Sequence, residues 1–252
     1  MQQPDRYSPQ WMYAATAAVY LVMFAYTLLR WDSIPDPVAM HMGPGGEVDS
    51  AAPKTLLSAM AVLWIGAAIS IGVALIVPST RLARATRETD RTTTQTIPFS
   101  ETAAARAELL IGKTQHFIAE LLVATALIMA LVQLVMVFPD PAHPFGVFVA
   151  ATIAYCAWAI WRSITLTRQA KQDIENLKPD AQELRRVETL RMKAGAGMYS
   201  EPADPMAVTV LPSEPGKLQF NTAHPAGKRL LTRIGIGVAL TIAAPLIIGF
   251  SI

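Results

Sequence analysis

TLLSAMAVLWIGAAISIGVALIV, Thr55 to Val77, carries no charged residue along its length. A helix needs about 20 residues to cross a hydrocarbon core of roughly 30 Å. Lipid offers backbone amides no partner, so a spanning segment must satisfy them as a helix or within a closed barrel. An unbroken apolar run lacks the alternation of a barrel strand. Four further runs are nearly as apolar: Trp11 to Leu29, His116 to Phe138, Phe145 to Trp161 and Leu230 to Phe250. Of 252 residues, 52% are apolar and 16% charged, which departs from the soluble pattern in both directions. The predicted class is an all-α integral membrane protein, a five-transmembrane-helix bundle with a small cytoplasmic helix and β-hairpin appendage.

The predicted organisation follows the chain. Residues 1–78 hold the first two spans, with a loop at 30–54 between them. Residues 79–115 form a basic connector, and 116–161 hold spans three and four. Residues 162–229 form the appendage, and 230–252 the last span. The first run lacks the cationic start of a secretory signal, because Asp5 and Arg6 cancel, and it is expected to remain as a helix. Cys156 is the only cysteine, so no disulfide within the chain and no cysteine-rich metal site is expected.

Basic residues set the expected orientation. Pro78 to Gln115 holds Arg81, Arg84, Arg87, Arg91, Arg106 and Lys113, and Arg162 to Arg229 holds eleven more Lys or Arg. Arg30 to Lys54 has only its two flanking basic residues, against Asp32, Asp36, Glu47 and Asp49, and Pro139 to Pro144 has none. The positive-inside rule then predicts a cytoplasmic N-terminus, an external 30–54 loop and an external C-terminus. Trp11, Trp31, Trp158 and Trp161 fit interfacial belts. Gly66-x-x-x-Ser70, Ala68-x-x-x-Gly72, the alanines at 14, 15, 17 and 18, and Gly235 with Gly237 allow close helix approach in lipid.

The 30–54 loop is distinctive. Pro35-x-Pro37 forces an extended lead-in, and Gly43-Pro44-Gly45-Gly46 a tight turn. His41, Asp36, Glu47 and Asp49 could meet as a sensing or cation site; the competing reading is a structural turn docked on the helix ends, and no cation-loop spacing is present. The pattern Ile34-Pro35, Pro37, His41, Gly46, Asp49 and Lys54, with its two flanking helices, resembles the signature of a family of bacterial integral membrane proteins of unknown function, related to SdpI-type immunity and signalling proteins. Met42 stands where that family usually has an aromatic residue. The resemblance implies a multi-pass protein of the bacterial plasma membrane with an immunity or signalling role.

Within 79–115, Thr86 to Ser100 reads as a flexible connector, and Ser100-Glu101-Thr102 as the cap of a helix that runs through Ala103 to Lys113 into the third span. The fourth helix is predicted to project through Gln169 and Glu175, with Pro179 interrupting it. Ala181 to Lys193 reads as a mixed-charge helix with a solvated face, and Ala194-Gly195-Ala196-Gly197 as its end. Ala207 to Leu211 and Leu218 to Thr222 read as a hairpin around Pro212 to Lys217. The order Tyr199, Pro202, Asp204-Pro205, Val208, Val210, Gly216, Asn221 and Pro225 is similar to a cytoplasmic module of the same family, with Lys217 in place of its tryptophan.

Ionisable groups within spans are functional candidates by default. His116 and Glu120 stand at i and i+4 on the third run, with Gln133 deeper. A proton or cation path is one reading; interfacial residues, with Glu120 paired to an arginine such as Arg162, is the favoured one. No phosphate loop, dinucleotide fingerprint, zinc-protease pair or nucleophile motif is present. His41, His143 and His224 fall in loops. The basic loops beside a membrane fit anionic lipid, not nucleic acid.

The combined expectation is a non-catalytic membrane protein that acts through protein contacts, without cofactor or metal. Its expected partners are the lipid bilayer and other membrane proteins, and the sequence names no small-molecule ligand. The resemblance implies SdpI-like immunity or signalling. The alternative is an accessory or assembly subunit of a larger membrane complex, for example a respiratory one. A small-solute or proton transporter is third, because no repeat or broken helix at a midplane is apparent.

Overall fold

The computed structural model describes residues 9–43, 46–87, 97–138, 145–190 and 197–251. Pro44 and Gly45 of the predicted turn, most of the threonine-rich connector, the 139–144 loop with His143, the predicted helix end at Ala194 to Ala196 and both chain ends lie outside them. The chain divides into two compact units. Among the described residues, one comprises 9–74, 118–161 and 237–251, and the other 75–117 and 162–236. The long helices α4 (Glu101–Val137), α5 (Phe145–Glu175) and α7 (Pro225–Ser251) contribute to both.

In the first unit, α1 (Gln10–Leu29) buries Met12, Thr16, Tyr20, Met23 and Thr27, a single stripe at helical spacing. Two of these are polar, and each turns its hydroxyl onto its own helix: Thr16 to Met12 O at 2.9 Å and Thr27 to Met23 O at 2.8 Å. The hydroxyls are thereby satisfied without water. Leu21, Val22, Ile153, Ile242 and Leu246 are exposed on α1, α5 and α7, as residues facing lipid should be.

The second apolar run is not one helix. Thr55 and Ser58 form a capping box that starts a short α2 (Leu56–Ala59); the chain turns at Met60, and α3 (Ala61–Ile76) follows. The expected continuous span from Thr55 is corrected to a cap, a single turn and a 16-residue helix. The small residues of α3 seat its neighbours. A Cβ added at Gly66 would come within 2.8 Å of Met129 Cγ and Tyr20 Oη, and one at Gly72 within 2.6 Å of the Gly237 carbonyl. Tyr20 Oη and Ser70 Oγ are hydrogen-bonded at 3.1 Å beside the core of Tyr20, Met23, Leu63 and Ala126.

In the other unit, the Ser100 hydroxyl accepts the Ala103 amide at 3.0 Å, which caps α4 as its sequence predicts. Helix α6 (Ala181–Leu190) follows Asp180, whose carboxylate accepts the Glu183 amide at 2.6 Å. A three-stranded sheet has the order β3 (Met198–Tyr199), β5 (Leu218–Asn221), β4 (Val208–Val210). β4 and β5 pair antiparallel, Val208 opposite Phe220 and Val210 opposite Leu218, on the two runs read from sequence. β3 adds in parallel, Tyr199 opposite Asn221, a strand the sequence does not signal because two residues have no period. Val208 and Val210 pack on Ala83, Ala107, Leu110, Ile111, Ala170 and Ile174.

Candidate functional site

The 30–54 loop carries a β-hairpin between its lead-in and Lys54, a pair of strands that the sequence reading did not include. A 3-10 turn, Trp31–Ser33, ends α1, with the Ser33 hydroxyl on the Arg30 carbonyl at 2.7 Å. The Asp36–Pro37 bond is cis. β1 (Val38–Met42) and β2 (Val48–Ala52) pair antiparallel, Val38 opposite Ala52 and Ala39 opposite Ala51; the register shifts nearer the turn, around His41 and Met42. The Gly43 amide donates to Glu47 O at 2.8 Å, and Gly46 has φ +86°, where a side chain would be strained. Ile34 and Val38 anchor the base in a cluster with Ala59, Val137 and Phe138.

Most of the motif residues hold this shape. Lys54 donates from Nζ to Ile34 O at 2.9 Å with its ammonium 5.2 Å from the centre of the Trp31 ring, and its amide donates to Asp36 Oδ1 at 3.1 Å. Pro35 and Pro37 are exposed on the lead-in. His41 donates from Nδ1 to Asp49 Oδ1 at 2.6 Å across the hairpin; the side chains are 68% and 48% exposed, so solvent screens the pair. Among the described residues, no three of His, Cys, Asp or Glu are arranged to hold a metal ion. Residues Val48 to Ala51 of β2 are all exposed.

The second motif forms a buried lock. Asp204 is gripped by both terminal nitrogens of Arg186 at 2.7 and 2.9 Å, and accepts the Tyr199 hydroxyl at 2.7 Å and the Met206 amide at 2.9 Å. Burial, then the Asp204 charge, pushes the Tyr199 hydroxyl far above its usual range. Asn221 is fully buried and uses both ends of its amide: Oδ1 accepts from Glu201 N and Ala223 N, and Nδ2 donates to Glu201 O and Met206 O. Pro202 and Gly216 are exposed, the Pro205 carbonyl accepts the Arg87 amide at 3.1 Å, and Pro225 is the first residue of α7.

Sequence reasoning missed the other half of this lock. The charges of α6 were expected on a solvated face; Arg185 and Glu188 are exposed, yet Glu183 and Arg186 are buried. The correction has a physical cause: each charge meets a partner in the fold. Glu183 lies 3.4 Å from Arg106 Nε and accepts the Thr102 hydroxyl at 2.7 Å. Burial raises its pKa despite that hydroxyl and that guanidinium. For Asp180 burial works upward too, but amide and hydroxyl donors from Glu183, Thr102 and Ser100 outweigh it and hold the carboxyl below its usual value. The available signal was Asp180-x-x-Glu183, a helix-start pattern, with Arg186 one turn further on the same face.

The third set of candidates separates. Gln133 is fully buried; its Nε2 donates to the Ala59 carbonyl at 2.7 Å and to Thr27 Oγ1 at 3.2 Å. Ala59 ends α2, so Gln133 satisfies a carbonyl of the kind that a helix terminus leaves open. His116, Glu120 and Arg162 are each engaged with a partner. Glu120 lines a cavity of about 270 Å³ with Trp11, Met12, Val123, Ala124, Leu127 and Trp158.

Among the described residues, five helices are long and apolar enough to cross a membrane, the second of them counted from Ala61 to Arg84, which together with the small sheets fits a helical, multi-pass type of chain. Residues 18–65 match the family described as Domain of unknown function (DUF1648), a stretch that runs from within α1 through the hairpin and α2 into α3. No curated protein and no solved structure matches the chain significantly.

Proposed function

We propose that this chain is a non-catalytic protein of the bacterial plasma membrane that acts through protein contacts at its 34–54 hairpin, in an SdpI-like immunity or signalling role. The observation that carries the reading is a division of labour within the hairpin. Lys54, Asp36, Ile34 and Gly46 commit their polar groups or backbone conformation to holding the shape, while β2 leaves Val48 to Ala51 exposed. A loop fixed at its base, with a strand presented to solvent, suits recognition. The basic stretches at Pro78 to Gln115 and Arg162 to Arg229 favour a topology with both in the cytoplasm and the hairpin outside.

The test is to replace residues 38–52 by a glycine-serine linker of equal length and compare co-purifying proteins after mild detergent extraction. A stoichiometric partner that accompanies the natural chain and disappears with the replacement supports the reading. A chain that purifies alone overturns it. A partner retained by the replaced chain also overturns it, and points to the accessory-subunit alternative.

A further inference from the structure

We infer that the outer edge of β2 takes an extended, positively charged peptide segment as an added strand. The inference rests on the protein-contact reading above and names the chemistry of the partner. The hairpin is a two-stranded sheet, with no third strand among the described residues. Its strands are unequal: β1 is largely half-buried from Val38 to Met42, whereas Val48, Asp49, Ser50 and Ala51 of β2 are exposed, Val48 by 53%. An open edge presents backbone donors and acceptors that template another strand, and two-stranded hairpins are marginal until a further element covers them. Natural edges are commonly blunted by lysine or proline, and β2 has neither. Ser50, Ala51 and Ala52 are small, so no bulky side chain blocks an incoming backbone there, and Ala51 and Ala52 stand in register with β1 outside the shifted segment, which takes in Ser50 opposite His41.

Charge chooses among extended partners. Asp32, Asp36, Glu47 and Asp49 are all exposed. The nearby cations are engaged locally: Lys54 with the Ile34 carbonyl and Trp31 ring, and Arg30 Nε with the Ser33 hydroxyl. Glu47 just precedes β2 and Asp49, hydrogen-bonded to the exposed His41, is its second residue, where side chains of an added strand would project at every second residue. Strand addition draws affinity from main-chain bonds and specificity from those alternate side chains, so a segment alternating Lys or Arg with apolar residues complements this edge.

The experiment uses the full chain in phosphatidylcholine nanodiscs, with empty discs as the reference. The probe is an eight-residue peptide alternating Lys and Val, set against a Glu and Val counterpart. Two Lys and Val peptides N-methylated at every second residue, one in each frame, keep the charge and block one edge. The Lys and Val peptide is expected to bind at least tenfold more tightly than its acidic counterpart. One N-methylated frame should lose at least tenfold, and Glu47→Gln with Asp49→Asn should weaken binding at least threefold. Equal binding of the two charge types, no loss in either N-methylated frame, or equal uptake by empty discs overturns the inference. So does a disulfide between two copies of the Val48→Cys variant in a Cys156→Ser background, which would assign the edge to a second copy. A hairpin-dependent cellular complex that ignores the Lys and Val peptide as competitor sinks strand addition but leaves the contact role standing. Absence of any hairpin-dependent complex sinks the contact role itself.

Discussion

Arg186 and Asp204 form a two-pronged ion pair with their side chains 1% and 0% exposed. The pair links α6 to the loop before β4, and Arg186 Nη1 also reaches the Pro98 carbonyl at 2.9 Å. Buried charges are tolerated only when paired and hydrogen-bonded, and here Tyr199 and the Met206 amide complete the shell of the carboxylate.

Arg186→Met strands the Asp204 charge and is expected to destabilise the unit by about 3–5 kcal/mol. Adding Asp204→Asn should recover part of that loss, since the amide oxygen still accepts from the Met206 amide, the amide nitrogen can donate to the Tyr199 hydroxyl, and no buried charge is left. Protease resistance of the Arg162–Ile236 segment against denaturant is the measurement. A double variant no more stable than Arg186→Met would remove the unpaired charge as the cause.

At Gly72 there is no room for a methyl group, because an added Cβ would lie 2.6 Å from the Gly237 carbonyl. Gly72→Ala should lower stability in detergent by about 1–3 kcal/mol, the usual range for forced overpacking. Gly235→Ala is the control, with nothing within 4 Å of its added Cβ. Equal thermal melts for the two variants would mean that α3 and α7 do not depend on this approach.

Removing the Gln133 amide should expose the break in the second apolar run. Gln133→Leu leaves the Ala59 carbonyl without its donor at 2.7 Å, for an expected loss of about 1–3 kcal/mol. The signature is faster hydrogen exchange in 55–64 than in 20–26. Uniform exchange across both stretches would mean that the amide bond does not hold the break.

A pH dependence is expected at the start of α7. His224 Nδ1 accepts the Ala226 amide at 3.1 Å, a cap that only a ring nitrogen without its proton can make. Burial holds His224 below its usual value, Arg87 and Arg229 add repulsion, and Asp204 and the Pro205 carbonyl oppose them. A group depressed in the fold is neutral there, while the unfolded chain takes up its proton near pH 6.5. Its stabilisation is therefore full above about pH 6.5 and is lost as pH falls toward the folded value. Glu183, raised by burial, acts in the opposite sense, so the natural chain and His224→Asn are compared over one range. Asparagine keeps a cap acceptor; its stability should fall less between about pH 6.5 and 5. Identical slopes would acquit His224.

The five apolar helices among the described residues were legible because crossing a membrane takes long apolar runs, though the second begins at Ala61 and not at Thr55, and the starts of α4 and the β4–β5 hairpin carried local capping and β-propensity signals. The break at Met60 was not legible. Its cause is Thr55 and Ser58 capping each other, with Gln133 arriving from 74 residues away to take the freed carbonyl. The 34–54 stretch was legible as a fixed structural unit, but its strands were not, since β2 is Val-Asp-Ser-Ala-Ala with weak strand preference. Burial of Glu183 and Arg186 escaped because their counter-charges, Arg106 and Asp204, are distant or irregularly spaced in sequence, and charge on a helix ordinarily marks solvent.

The seat of Gly72 against Gly237 sets a clock for biogenesis. The two glycines are 165 positions apart (237 − 72), and the carbonyl that meets α3 belongs to α7, which leaves the ribosome after α1 to α6. At synthesis speeds of roughly 5–20 residues per second, the notch in α3 waits roughly 8 to 33 seconds for its occupant. During that interval the Gly72 notch lacks the α7 backbone that fills it in the folded chain.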